Sequence, residues 1–277
     1  MDRLDEELDH AAELFRVSED DARSFLAGFR LAPARGQPDD PFSGSYRDWV
    51  FAQYARVSGR ESYATANEES TFDVLEALAT PYPYSTRSPR VVGEELVARG
   101  FIVSSLGLEP PARIVEFGSG WGNLTLDLAR MGFEVTAVEI EPRFCQLMVE
   151  APDPVGRVHV VNCGMLEFQA EERFDAALFY ESFHHCADHL AMLERLRDVV
   201  APGGRVIWAG EPVAPMPYPW GLRLDGYSVW SVRRHGWLEL GFDDRYFARA
   251  LDRAGFKARR SRLPQGSSLA DVIVASR

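Results

Sequence analysis

The sequence predicts an α/β protein: an open, mostly parallel sheet flanked by helices, with a helical cap ahead of it. Three patterns carry this prediction. Residues 114–117 form a short apolar strand that runs through the turn Gly118-Ser119-Gly120-Trp121-Gly122 into a helical pattern at 123–129, and then into a second strand at 134–138. Apolar runs at 158–161, 174–180 and 205–209 continue the alternation. The first ninety residues show helical spacing and no such strands. With 277 residues and 46% hydrophobic composition, the chain can bury a large core. It divides into a helical cap at 1–90 and an α/β domain at 91–277, with an insertion at 211–241.

In the cap, Leu4, Leu8, Ala11 and Phe15 recur at helical spacing. Ser18-Glu19-Asp20-Asp21 is a helix start, with a capping hydroxyl and acidic groups against the positive end of the dipole. Phe25, Leu26 and Phe29 give that helix an apolar face. Residues 33–41 form a proline-rich loop, and a third helix begins near Ser45 with Tyr46, Trp49, Val50, Tyr54 and Val57 on it. The stretch 80–88, with Tyr82 and Tyr84, leads into the helix before the first core strand.

The glycine turn is the most informative segment. Glycine lets a ligand approach the backbone where a Cβ would block it, and the start of the following helix offers N–H groups to an anionic group. The dinucleotide spacing G-x-G-x-x-G needs a third glycine at position 123, which is Asn123; here it is Gly122. Glu116, just before the turn, would repel a pyrophosphate. A second carboxylate, Glu139, ends the second strand, where it can accept hydrogen bonds from both hydroxyls of a ribose. S-adenosylmethionine, which has a ribose, a carboxylate and an ammonium but no phosphate, fits these groups better than NAD.

Residues 112–142, ARIVEFGSGWGNLTLDLARMGFEVTAVEIEP, resemble the nucleotide-binding half of class I S-adenosylmethionine-dependent methyltransferases. The wider resemblance spans about residues 95–277. It implies a Rossmann-like seven-stranded sheet, mostly parallel with its last strand antiparallel. In that frame residues 196–204, ending Ala201-Pro202-Gly203-Gly204, are the helix and turn before the fifth strand. Residues 242–254 are a helix, and 256–263 with 268–275 form the closing hairpin. The resemblance implies cofactor contacts from Glu116, Gly118, Ser119, Gly120, Trp121, Gly122, Glu139, Ile140, Met165 and Tyr180. The family's usual Asp after the third strand is Gly164 here, so adenine recognition departs from the pattern; Met165 still offers a backbone N–H, and Glu167 is a replacement acceptor. Segments like 80–88 close over the cofactor in many members, which makes Tyr82 and Tyr84 candidates to face the substrate.

The fourth strand ends in Glu181-Ser182-Phe183-His184-His185-Cys186. Ligands of open α/β sheets lie outside the carboxyl ends of the strands, so this segment borders the reacting methyl. His184 and His185 suit proton removal from a hydroxyl near neutral pH, with Glu181 as a further candidate base. His185 and His189 stand four apart with Cys186 and Asp188 beside them. No second ligand cluster accompanies them, and no metal is expected.

The insertion at 211–241 holds Trp220, Trp230 and Trp237 beside Arg223, Asp225 and Arg233. Aromatics beside arginines suit a polar ring or an acidic small molecule, which makes Trp220, Arg223, Trp230 and Arg233 substrate candidates. The bland reading is an aromatic plug over one side of the sheet.

The net charge of −12 argues against a nucleic-acid partner. Lys257 is the sole lysine, so no Walker-type Gly-Lys-Ser/Thr exists. Cys145, Cys163 and Cys186 form no C-x-x-C pair, the N-terminus has no signal-like apolar core, and no apolar run spans a bilayer, which together predict a cytoplasmic protein with no membrane contact. The expected activity is transfer of the methyl of S-adenosylmethionine to an oxygen or nitrogen of a small molecule or glycan. Two other readings remain open at this level: an NAD-dependent oxidoreductase, and a non-catalytic module that keeps the fold to bind cofactor or partner.

Overall fold

The computed structural model describes residues 2–151, 154–264 and 267–277. Seven strands form one sheet: β1 (Arg113–Phe117), β2 (Glu134–Glu139), β3 (Arg157–Asn162), β4 (Phe174–Tyr180), β5 (Val200–Ala209), β8 (Lys257–Arg262) and β9 (Asp271–Ser276). Their order is β3-β2-β1-β4-β5-β9-β8. β1 pairs in parallel with β2 and β4, and β9 runs antiparallel to both β5 and β8. This is the Rossmann-like sheet of the sequence expectation. The order reverses at β1 and β4, which opens a crevice at their carboxyl ends.

Alternation along the strands feeds two cores. Val115, Phe117, Ala177, Phe179, Val206 and Trp208 face one side, where the cap also packs. Ile114, Ala176, Leu178 and Ile207 face the other, against Leu124, Leu128, Ile102 and Leu106.

The cap consists of α1 (Asp2–Val17), α2 (Glu19–Ala27), α3 (Gly44–Ser58), α4 (Val74–Ala79) and the start of α5 (Pro89–Ser105). Ser18 accepts from the Asp21 N–H to cap α2, and Ser88 accepts from the Val91 N–H at the start of α5, where Pro89 supplies a preset φ. After β1 come α6 (Asn123–Arg130) and α7 (Pro142–Val149), and α8 (His189–Val199) precedes β5.

Two boundaries differ from the sequence reading. The Pro-Gly-Gly turn lies inside β5: the register jumps from Phe174↔Val200 to Ala176↔Arg205, so residues 201–204 are accommodated as an irregularity of the strand. Phe242 belongs to a strand, because Asp243 caps the next helix by accepting from the Arg245 N–H, and α10 starts at Asp244 (Asp244–Arg253).

The insertion has its own structure: β6 (Trp220–Leu222), α9 (Gly226–Arg234) and β7 (Leu240–Phe242), with β6 and β7 antiparallel. It is stitched to the cap. Tyr46 Oη donates to Trp220 O at 2.9 Å, Trp220 Nε1 donates to Pro41 O at 2.7 Å, and Arg233 pairs with Asp5 at 2.9 and 3.0 Å. Among the described residues no helix is long and apolar enough to cross a membrane.

Candidate active site

At the carboxyl ends of β1, β2 and β4 lies a cavity of about 400 Å³. Its floor is the glycine turn. Gly118 sits at φ +68, and a Cβ there would lie 2.6 Å from Ser182 Cβ and 3.0 Å from Met165 Cε, so only glycine fits. Gly122, at φ +71, is the N-cap of α6 and lies beneath the cavity rather than on its wall; a Cβ there would meet Met148 Cγ at 2.4 Å. Asn123 Nδ2 donates to Tyr82 O at 2.8 Å, which ties the 80–88 stretch to this turn.

Two carboxylates are buried at the strand tips. Glu139, 5% exposed, accepts from the N–H of Gly120 at 2.7 Å and of Glu141 at 2.9 Å, one on each oxygen. Burial raises its carboxyl above the ordinary value, against the pull of those backbone donors. Each oxygen keeps a lone pair for a ligand hydroxyl. Glu116 accepts from Thr125 Oγ1 at 2.5 Å. Burial, with Glu139 and Asp127 nearby, pushes Glu116 up to about 7.

The Glu116 shift has a stability consequence. A raised carboxyl favours the folded state below the ordinary value near 4.5, and this contribution is lost as pH rises through about 7. Glu116→Gln is therefore expected to raise the melting temperature of the ligand-free protein at pH 8.5 by about 3 °C and to leave it unchanged at pH 3.5. Differential scanning calorimetry at the two pH values checks this; an equal shift at both removes the ionisation argument.

One wall of the cavity is formed by Ile140, Cys163, Gly164, Met165, Leu166 and Glu167, the stretch expected to meet adenine. Glu167 Oε2 accepts weakly from the Gly164 N–H at 3.3 Å, so its carboxylate occupies the region of the missing Asp. Trp121 stands at the rim between Phe72 and Phe144, each 4.9 Å away by ring centroids.

The other end of the cavity holds the residues expected to do chemistry. Glu181 follows β4 in the left-handed region, φ 49, which is uncommon for a non-glycine residue and occurs where surroundings hold a strained backbone. Its side chain is exposed and opens to the cavity. Desolvation by the cavity walls, then the charges of Glu95 and Glu211, push its carboxyl up to about 8, with Arg223 opposing. Tyr180 donates through Oη to Glu95 Oε2 at 2.9 Å. His185 lines the cavity, and its Nδ1 lies 3.2 Å from Glu68 Oε2 outside hydrogen-bond geometry. Burial disfavours its cation, but Glu68, Glu239 and Glu211 outweigh burial and push His185 up to about 9.

His184 does not line the cavity. It is 4% exposed, and its Nδ1 lies 2.8 Å from Glu211 Oε2. Glu211 is itself fixed by the N–H groups of Ser182, Phe183 and His184 at 2.8–3.1 Å. Burial opposes its charge, but His184 and those donors hold Glu211 below the usual carboxylate range. His189 is remote from His185 in role: its Nε2 meets Tyr246 Oη at 2.7 Å, and burial depresses it to about 3.

Of the substrate candidates, Tyr82 lines the cavity and Tyr84, Trp220, Arg223, Trp230 and Arg233 do not. Tyr84 is exposed. Trp220 is buried against Tyr46, and Trp230 packs on Phe15, so these two form the plug of the bland reading. Arg223 sits behind the site, with Nε 3.1 Å from Asp225 Oδ2 and Nη1 3.5 Å from Glu239 Oε2. Trp237 is the insertion's contribution to the wall. Sequence reasoning missed Tyr63, Glu68, Glu95, Glu211 and Glu239. Glu211, just beyond the end of β5, carried the same strand-tip signal as Glu139 and Glu181. Tyr63 and Glu68 lie in a segment with no periodic pattern.

Residues 114–204 match the model of a methyltransferase domain family. A ubiquinone biosynthesis O-methyltransferase of Cereibacter sphaeroides is 32% identical over 142 residues, which is 48% of this chain and 52% of that protein. One from Ruegeria pomeroyi is 28% identical over 175 residues, 54% of this chain and 66% of that protein. The chain thus spans about half the length of the first of these relatives. Among solved structures, the 1,6-didemethyltoxoflavin-N1-methyltransferase of Burkholderia thailandensis superposes with a TM-score of 0.52 at 21% identity, covering 89% of this chain and 97% of that one. An S-adenosylmethionine-dependent methyltransferase of Mesorhizobium loti gives 0.53 at 16% identity, covering 65% and 98%. Both share the fold.

Proposed function

We propose that the chain, which matches a methyltransferase domain family over residues 114–204, moves the methyl group of S-adenosylmethionine to a hydroxyl oxygen of a small molecule. The observation that carries this is one continuous cavity, with Glu139 and the glycine turn at one end and Glu181 and His185 at the other. The oxygen acceptor is favoured by the named chemistry of the relatives and by the raised carboxyl of Glu181.

The groups present fit the donor. Gly120 has open space where a Cβ would lie, Glu139 presents two lone pairs toward a ribose diol, and the start of α6 suits a carboxylate. The donor supplies a methyl on a sulfonium, an electrophile whose leaving group is a neutral thioether. The residues of this chain orient and deprotonate the acceptor. Tyr63, Tyr82 and Trp237 form an aromatic rim that holds a flat or ring-bearing molecule. Glu181, as carboxylate, would take the proton of the acceptor hydroxyl while the bound donor supplied the methyl group. A base with a value near working pH does this best. In-line positioning in the closed cavity supplies the larger share of the acceleration. His184, held by Glu211, positions the strand-end turn.

Calorimetric titration with S-adenosylhomocysteine and, separately, NADH tests the cofactor: one site for the first and none for the second is expected. Binding of NADH alone would replace this reading with the oxidoreductase. Labelled S-adenosylmethionine offered to phenols, sugars, acids and amines tests the acceptor. Label is expected in hydroxyl-bearing compounds; label in amines alone overturns the oxygen assignment, and no label across the whole panel favours a non-catalytic binding module.

A further inference from the structure

Behind the acceptor end of the cavity, ligand-capable atoms of His184, His185 and Glu239 lie within 4.8 Å of one another. We propose that these three side chains hold a divalent first-row transition cation, of the zinc or manganese type. The sequence directed attention to His185 with His189; the fold instead brings in Glu239 from the far end of the insertion.

Three features make this a built site. First, His184 is almost wholly buried, and its Nδ1 faces Glu211 Oε2 at 2.8 Å. A carboxylate on one ring nitrogen places the proton there and turns the lone pair of the other outward, the arrangement that orients metal-binding histidines. Glu211 accepts three backbone N–H groups, so it cannot swing away. Second, His184 Nε2 is 3.8 Å from Glu239 Oε2, too long for a hydrogen bond and a suitable span for two ligands closing on one ion. The two imidazoles lie 4.2 Å apart, and His185 Nδ1, which makes no hydrogen bond of good geometry, faces Glu68 Oε2 at 3.2 Å, a carboxylate that a bound ion must displace or share. Third, carboxylates gather around the two imidazoles: Glu211 lies against His184, Glu68 against His185, and Glu239 lies 3.8 Å from His184 Nε2, with Arg223 beside Glu239 and its Nε taken by Asp225. Arg223 Nη1, 3.5 Å from Glu239 Oε2, is the competitor that a bound ion must share that oxygen with.

Two imidazoles and one carboxylate favour zinc, iron, cobalt or manganese over magnesium or calcium, and leave coordination positions open. His184 and Glu239 are buried outside the cavity lining, so the site does not depend on the oxygen-acceptor reading.

Titration of the 277-residue protein with ZnCl2, MnCl2 and CoCl2, by calorimetry and by the visible absorption of Co2+, tests the proposal. One equivalent is expected to bind, with a visible Co2+ band. His185→Ala and Glu239→Gln should each weaken binding at least tenfold, while His10→Ala leaves it unchanged. S-adenosylhomocysteine affinity and melting temperature, measured on the same samples, report whether each variant is folded; Glu239→Gln preserves shape if His185→Ala does not fold. No cation uptake by the wild type, or uptake unchanged in both variants, overturns the site. S-adenosylhomocysteine binding without cation uptake overturns the site alone and leaves the methyltransferase reading standing.

Discussion

Glu181→Gln is expected to lower turnover with a hydroxyl acceptor by about 100-fold, the lower end of what a positioned base contributes. Glutamine keeps the shape of the side chain and removes its ability to take a proton. The distinguishing signal is the pH profile. In the free protein Glu181 sits at about 8, so the active carboxylate grows in as pH rises through that value. Wild-type kcat/KM should climb with unit slope below pH 8 and level above it, and the variant should lose this limb. With a sulfonium in the cavity, the positive charge favours the ionised carboxyl, so the limb of kcat should lie below that of kcat/KM. Stability carries the opposite sign. A raised carboxyl stabilises the fold below its ordinary value near 4.5, and this is lost progressively as pH rises from there to about 8, so the variant should gain stability relative to wild type across that window and hold the gain above it. Steady-state rates from pH 6 to 10, with S-adenosylhomocysteine affinity as control, decide it. A variant within threefold of wild type that keeps the limb takes Glu181 out of proton transfer.

The two ends of the site differ in how far the sequence disclosed them, and the reason is distance along the chain. Glu116, Gly118, Gly120 and Glu139 lie within one strand–turn–helix–strand unit, where local spacing sets geometry, and all four line the cavity. Glu181 and His185 follow from the rule that strand tips border the ligand. Glu68, Glu95, Glu211 and Glu239 come from four separate stretches of the chain, brought together by the docking of cap and insertion on the sheet. No pattern within a segment encodes that. The insertion shows the same limit in reverse. Its composition suggested a substrate surface, yet Trp220 and Trp230 are occupied by Tyr46 and Phe15 of the cap, and Trp237 alone of its tryptophans reaches the cavity. Aromatic richness reports burial and binding alike, and only the partner surface separates them.

Glu139→Ala is expected to weaken S-adenosylhomocysteine binding at least tenfold. A charge-assisted hydrogen bond to a ribose hydroxyl is worth about 1.5–3 kcal/mol, and each tenfold step in affinity is about 1.4 kcal/mol. A single such bond accounts for the expected loss. Glu139 has a second task, since its oxygens accept from the Gly120 and Glu141 N–H groups, and alanine would leave both donors without that acceptor. A drop in affinity alone therefore does not separate a ribose contact from a loosened turn. The 2′-deoxy analogue of S-adenosylhomocysteine does. Wild type should bind it about tenfold more weakly than the parent compound, because one hydroxyl partner of Glu139 is gone. The variant should bind both equally, because the acceptor is gone for each. If the turn alone has loosened, affinities fall together and the preference for the 2′-hydroxyl persists. That outcome would assign Glu139 to shaping the turn around Gly120, and the ribose would need another acceptor among the residues lining the cavity.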